Sequence, residues 1–429
     1  MARRRPTRPA ALTRDTPRDD TVETVRIERI AAGGDGIGHL ADGRAVFVPR
    51  SAPADLIELA RVTRQRSFAR AEVGRIVEPG PGRVPPPCPH YERDRCGGCQ
   101  LQHIDDDGQR AARRAIVGDA LRRVGRLEVA DPPLEPAAMT WGYRTRITLH
   151  PSADGRRIGY HLVGRPGDIF DLDTCLIAAP EVQELWAVLR LQRRFLPKRM
   201  ESVTLRIERG GARHILVKGS EPAWADAAKL VDVMRARLAD VSVWWQPPGG
   251  APRVVGESVA FPATVFEQVN PLMGDRARAW AVSALGDVSG RQGWDLYAGI
   301  GETSRMLLER GARVESVEWD ARAVRLAESL TAAGSGFSAH AGRVEEVIGS
   351  LSPADFVITN PPRTGMDARI VEAISASPAR RLVYVSCDPA TLARDLRVLG
   401  TAWRLSDLRA FDLFPQTAHV ETVAALERA

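Results

Sequence analysis

Gly293-Trp294-Asp295-Leu296-Tyr297-Ala298-Gly299-Ile300-Gly301 is the stretch that decides the fold of the C-terminal part of this chain. An apolar run enters two glycines one residue apart, and a helical segment follows from Glu302 to Arg310. That order reads as a strand, a glycine turn and a helix. Val314-Glu315-Ser316-Val317-Glu318 is the next strand and ends in an acid. The layout is that of an α/β, Rossmann-like domain with a nucleotide-type switch point. Glycines let the backbone approach a ligand, and a carboxylate after the second strand receives ribose hydroxyls. The third glycine of the dinucleotide fingerprint is missing, so the pattern suits S-adenosylmethionine (SAM) better than NAD.

Working outward, Ala354 to Thr359 reads as a strand ending in Asn360-Pro361-Pro362-Arg363-Thr364-Gly365. The prolines stiffen a loop at the carboxyl edge of the sheet, where such folds bind ligands. Leu382-Val383-Tyr384-Val385 is a further short strand; it delivers Cys387, and Asp388-Pro389 then breaks it. Taken alone, Cys387 is more often a small buried apolar residue than a nucleophile. The last stretch, Phe411 to Val423, reads as a loop entering a terminal strand, with Glu421 set among apolar residues.

The chain has five cysteines. Four lie upstream: Cys88, then Cys96-Gly-Gly-Cys99, then Cys175. Two cysteines joined by two glycines reach one metal centre, because the glycines let the backbone fold tightly around it. Zinc is the simplest reading of the pair, and an iron–sulfur cluster needs four thiolates. Spacing does not separate the two.

The remaining pattern divides the chain. Residues 1–20 form an Arg- and Pro-rich tail without apolar periodicity, expected to be disordered. Residues 21–80 alternate short strands with Gly and Asp turns, which predicts a small OB-like β-barrel. Residues 81–255 hold the cysteines and an α+β region with a helix near Glu181 to Phe195. Residues 256–429 form the α/β domain. With 429 residues a single core is excluded. Net charge is +6, carried almost wholly by Arg, which fits a polyanionic partner such as nucleic acid. No run is long enough to span a bilayer, and no signal-peptide core is present. A cytoplasmic protein with no membrane partner is expected, where clustered cysteines bind metal more often than they form disulfides.

An ordered set of motifs gives a resemblance. It comprises Cys-Gly-Gly-Cys-Gln-Leu-Gln-His (96–103), Gly-Tyr-Arg (142–144), Phe-Glu-Gln-Val-Asn (266–270), Asp-Leu-Tyr-Ala-Gly-Ile-Gly (295–301), Pro-Pro-Arg-x-Gly (361–365), Tyr-Val-Ser-Cys (384–387) and Phe-Pro-Gln-Thr-x-His-Val-Glu (414–421). From about residue 21 onward the chain resembles the RNA uracil-5-methyltransferases, SAM-dependent enzymes that make 5-methyluridine. The stretch with Val46-Phe47-Val48-Pro49 resembles the TRAM RNA-binding domain. Members with both that domain and four cysteines form an iron–sulfur subgroup acting mainly on 23S rRNA, with tRNA the other substrate class. The resemblance implies a [4Fe–4S] cluster on Cys88, Cys96, Cys99 and Cys175, and a monomer. It makes Cys387 the nucleophile and Glu421 the general base. It assigns SAM contacts to Gln268, Tyr297, Gly299, Gly301, Glu302, Glu318 and Asn360.

The chain departs from the family at two of these positions. Asn360 stands where an Asp is usual, and Glu302 where a small or amide residue is common. Asn-Pro-Pro also belongs to amino-methyltransferases of adenine and guanine, but these follow it with an aromatic residue, and here Arg363 follows. A catalytically inactive RNA-binding relative is the third reading; intact Cys387 and Glu421 argue against it.

Overall fold

The computed structural model describes residues 23–256 and 265–429. The tail of residues 1–20 and the first residues of the expected C-terminal domain lie outside this range.

The C-terminal domain is built on one mixed sheet. Its strands are Gln292–Leu296 (β1), Arg313–Glu318 (β2), Phe337–Ala341 (β3), Phe356–Thr359 (β4), Arg381–Ser386 (β5), Trp403–Phe411 (β6) and Glu421–Arg428 (β7). Their order is β3-β2-β1-β4-β5-β7-β6. β1 to β5 are parallel, and β7 inserts antiparallel between β5 and β6. The near-continuous apolar runs of β4 and β5 follow from burial on both faces. Helices Ala368–Ala376 and Pro389–Leu399 cover one face, and helices Pro271–Ala284 and Glu302–Glu309 cover the other. Strand order reverses between β1 and β4, so a ligand crevice opens at their carboxyl ends.

One boundary moves. The sequence grouped residues 81–255 together, but helix Asp106–Arg123 sends Val117 and Leu121 into the core of the C-terminal sheet. Leu134–Glu135 then adds an eighth strand beside β6. Periodicity identifies such a helix but carries no information on which distant sheet it covers.

The central region is a second sheet of six strands. Met200–Ile207 and Arg213–Gly219 lie at its middle, and helices Pro180–Leu191 and Ala227–Arg235 share its core. Trp244 and Trp245 are buried there, as packing residues. Residues 24–78 form a third six-stranded sheet, antiparallel except where Ala45–Val48 runs parallel to Phe68–Glu78. Its core of Val25, Ile27, Val46, Val48, Ile57 and Ala69 is enclosed by that one sheet, which must curl to do so. Register shifts between Leu56–Arg64 and Phe68–Glu78 help it bend. Among the described residues no helix is long and apolar enough to cross a membrane.

Candidate active site at the switch point

Three consecutive strand ends build the site. After β1 the chain turns through left-handed conformations at Tyr297 (φ 63°), Gly299 (φ 57°) and Gly301 (φ 71°). Glycine takes these freely, whereas Tyr297 carries a strain of about 1–2 kcal/mol. That strain sits where the backbone must pass close to a ligand. The turn docks on the end of β2: Gly299 N donates to Glu318 Oε2 (3.0 Å) and Asp320 N to Glu318 Oε1 (2.9 Å). The Glu318 carboxylate is thereby fixed at the rim, half-buried.

Asp295 lies deeper. It accepts from Ser304 Oγ at 2.5 Å, and burial pushes its pKa up to about 7. The pair ties β1 to the helix that begins at Glu302. Across the switch point Asn360 N donates to Leu296 O (3.2 Å), and the Asn360 side chain is exposed at the crevice.

Tyr297, Gly299, Gly301, Glu318 and Asn360 therefore lie at the carboxyl ends of neighbouring strands. Gln268 lies on the loop entering helix Pro271–Ala284, against Gly274, where an added Cβ would stand 2.9 Å from its own. Glu302 is engaged otherwise. Its carboxylate pairs with Arg278 (3.0 Å) and Arg209 (3.2 Å), joining the C-terminal domain to the central region.

One strand further on, β5 ends at Ser386 opposite Thr422 of β7. The next step along that antiparallel pair brings Cys387 to Glu421, on one side of the sheet. Cys387 is half-buried, and Glu421 is only 2% exposed. Burial, and then the charge of Glu421, push the thiol pKa up. A hydrogen bond from the Arg363 guanidinium pulls it back down. Arg363 also lies 3.1 Å from His419 Nδ1. Burial alone pushes Glu421 up to about 7, close to the pKa that suits a general base at neutral pH. Arg363 was legible only as part of the Pro-Pro-Arg-x-Gly motif; its reach to the thiol was not.

The other four cysteines gather elsewhere. Cys88, Cys99 and Cys175 pack with Tyr91, Tyr143 and Ile177, and Cys96 and Cys175 pack on the central core. Burial pushes the Cys96 thiol up to about 12, with the charges of Cys175 and Cys88 adding to it. Cys99 is raised by burial and then by Cys175. Among the described residues no set of three or more His, Cys, Asp and Glu side chains closes on a single ion. Beside this loop runs a cleft of about 530 Å³, lined by Cys96, Arg144, Arg146, Thr148, Gln246 and Trp319. Trp319 is the exposed residue that follows Glu318.

A glycine turn and a carboxylate at the switch point of a parallel sheet, with a thiol and a buried acid on the neighbouring strands, define a SAM-dependent methyltransferase. The family model tRNA (Uracil-5-)-methyltransferase matches residues 324–429. The chain is 32% identical to a 23S rRNA (uracil(1939)-C(5))-methyltransferase of Azoarcus sp. (strain BH72), over 94% of this chain and 99% of that protein. It is likewise 32% identical to an uncharacterized RNA methyltransferase of Streptomyces coelicolor, over 94% and 92% of the two chains. Among solved structures, the Pyrococcus abyssi tRNA (uracil-54, C5)-methyltransferase bound to S-adenosyl-L-homocysteine has the same fold. The two match with a TM-score of 0.72 and 23% identity, over 94% of this chain and 100% of that one. The chain belongs to the RNA uracil-5-methyltransferase family, and is a SAM-dependent enzyme acting on RNA.

Proposed function

We propose that the enzyme methylates C5 of a uridine in 23S rRNA through a covalent adduct at Cys387. One observation carries the mechanism: Cys387 and Glu421 flank the last pair, Ser386 and Thr422, of one antiparallel ladder, near enough for the Glu421 charge to act on the thiol, with Arg363 on the sulfur. C5 of uracil is a poor nucleophile. The Cys387 thiolate adds to C6, and the electron pair of the C5–C6 double bond moves onto C5 and O4 as an enolate. C5 then attacks the methyl carbon of SAM, and S-adenosylhomocysteine leaves. Glu421 takes the C5 proton, the double bond re-forms, and the C6–S bond breaks to release the thiolate. Arg363 favours the thiolate at both ends of this cycle. The base must leave its stack to reach Cys387, so an extruded or single-stranded uridine is required.

SAM is assigned to the crevice between β1 and β4, with Glu318, Tyr297, Gly299, Gly301 and Asn360 around it and Gln268 at its side. Glu302 holds the turn in place through its two arginines rather than meeting the cofactor. Asn360 keeps an acceptor oxygen but no charge. The cleft between Arg144, Arg146 and Trp319 suits the RNA flanking the target, since guanidinium groups and an exposed indole serve phosphates and bases. The curled sheet of residues 24–78 is read as a TRAM domain, and the protein as a cytoplasmic monomer.

Cys88, Cys96, Cys99 and Cys175 are assigned to a [4Fe–4S] cluster. The four cysteines lie around one packed region and would supply the four thiolates a cluster needs; the choice of cluster over zinc rests on the family resemblance. When bound, the cluster supplies folding stability to the loop that carries Gln100 and Leu101. Iron and sulfide content and visible absorbance after anaerobic purification test this; stoichiometric zinc would refute it.

Relatives above 30% identity favour 23S rRNA, and the archaeal neighbour of like fold favours tRNA as the second reading. Mapping 5-methyluridine in both RNAs from a strain lacking the gene decides between them. Loss of one 23S rRNA site is expected, and loss confined to tRNA would overturn the choice.

A further inference from the structure

The connection from β6 to β7, residues 412–420, delivers Glu421. It is buried almost throughout, although it is a loop: only Phe414 and His419 among its residues are not buried. Buried backbone groups need partners, and besides Glu135 and the loop's own residues this loop draws several from outside the catalytic sheet. Asn270 Nδ2 donates to Leu413 O (3.2 Å) and Tyr143 Oη to Pro415 O (3.0 Å). Gln100 N (3.1 Å) and Leu101 N (3.0 Å), next to Cys99, both donate to Gln416 O.

The densest set comes from helix Asp106–Arg123. Gln109 and Gln416 bind each other twice: Gln416 N donates to Gln109 Oε1 (3.0 Å), and Gln109 Nε2 donates to Gln416 Oε1 (2.9 Å). This holds Gln416 in its left-handed conformation (φ 70°). Arg113 is 1% exposed and spends its planar fork on three partners. Its Nε donates to Thr417 O (3.0 Å), and its terminal nitrogens meet Gln109 Oε1 (2.8 Å) and Asp412 Oδ1 (3.2 Å).

Replacing a buried ion pair by apolar side chains is often neutral or stabilising, so stability alone gives a weak reason for this one. Its geometry gives a better reason. Arg113 ties the start of the loop (Asp412) to its far side (Thr417), four residues before Glu421. Burial raises the pKa of the Glu421 carboxylate. The backbone that the loop delivers sets where that carboxylate stands.

We propose that Arg113, with Gln109, is a positioning residue for proton removal: it fixes the loop so that the Glu421 carboxylate stands against the C5 proton of the methylated adduct. This rests on the reading of Glu421 as the base. The set acts on the last step and leaves thiolate addition and methyl transfer to residues of other strands.

The test compares Arg113→Met, Arg113→Lys and Gln109→Leu with Glu421→Gln, on an RNA carrying the target uridine. Turnover of Arg113→Met should fall about 100-fold, the scale of a 1 Å misplacement. Methylated protein–RNA adduct should accumulate on denaturing gels, and the isotope effect with 5-deuterated uridine should rise. KM for RNA should hold, and Arg113→Lys should recover part of the rate. SAM affinity by calorimetry reports folding; if Arg113→Met does not fold, Gln109→Leu, which keeps the ion pair, carries the same expectation. Equal loss of adduct formation and turnover in the folded variants, or no loss, would overturn the positioning role while Glu421→Gln still stalls. If Glu421→Gln itself accumulates no adduct, the base assignment fails and this proposal falls with it.

Discussion

Cys387 and the four thiols at 88, 96, 99 and 175 are one side chain in two environments. Cys387 is half-buried at a strand end, with the Arg363 guanidinium on its sulfur and Glu421 beside it. Cys99 is buried and Cys96 and Cys175 are half-buried beside it; burial raises the cost of ionising each, and the charge of Cys175 adds to it at Cys96 and Cys99. A thiol is a nucleophile only as thiolate. Burial disfavours that form in both places, and what differs is the partner. At Cys387 a hydrogen-bonded guanidinium offsets part of that cost, whereas at the grouped thiols a bound metal would draw off the protons. Neighbours, rather than burial, separate the two chemistries.

The largest expected effect breaks the comparison on the Cys387 side. Cys387→Ala should lower methyl transfer by about 10⁴-fold or more, as loss of a covalent nucleophile does, while SAM affinity by calorimetry stays the same; retained 5-methyluridine formation would end the covalent account. On the other side, Cys99→Ser should lose bound iron and destabilise the protein by about 3 kcal/mol, the range for loss of a metal site, read from thermal unfolding. Its residual soluble enzyme should still form the Cys387 adduct.

Arg363→Met sharpens the contrast by making Cys387 resemble the grouped thiols. Removing a cation beside a thiol raises its pKa by about 1–3 units, so adduct formation at neutral pH should slow about tenfold or more and recover as pH rises. A smaller effect is the pH profile of the unaltered enzyme. Glu421 must be ionised to accept a proton, and burial holds its pKa at about 7. The single-turnover rate of proton release should thus fall about tenfold per pH unit below that value, and a profile flat down to pH 5 would point to another base.

Legibility followed range. The β1 turn and Glu318 were readable because strand period, glycine and a terminal acid are local signals, whereas Cys387 took its role only from the ordered set of motifs. Glu421 was readable as an acid among apolar neighbours. Residues 81–255 were grouped as one region, since the partners that Val117 and Leu121 touch lie far along the chain. For the same reason nothing in the sequence singled out Arg113 or Gln109, and Arg363 entered only as part of a motif. The ion pair of Glu302 with Arg209 was not legible because Arg209 lies on a different domain.

The most direct test of the account is the fate of Glu421→Gln with target RNA and SAM. The account predicts a covalent complex whose peptide map carries a 5-methyluridine adduct on Cys387, formed in a single turnover and not resolved. Normal turnover without adduct, or an adduct on any other residue, would contradict it.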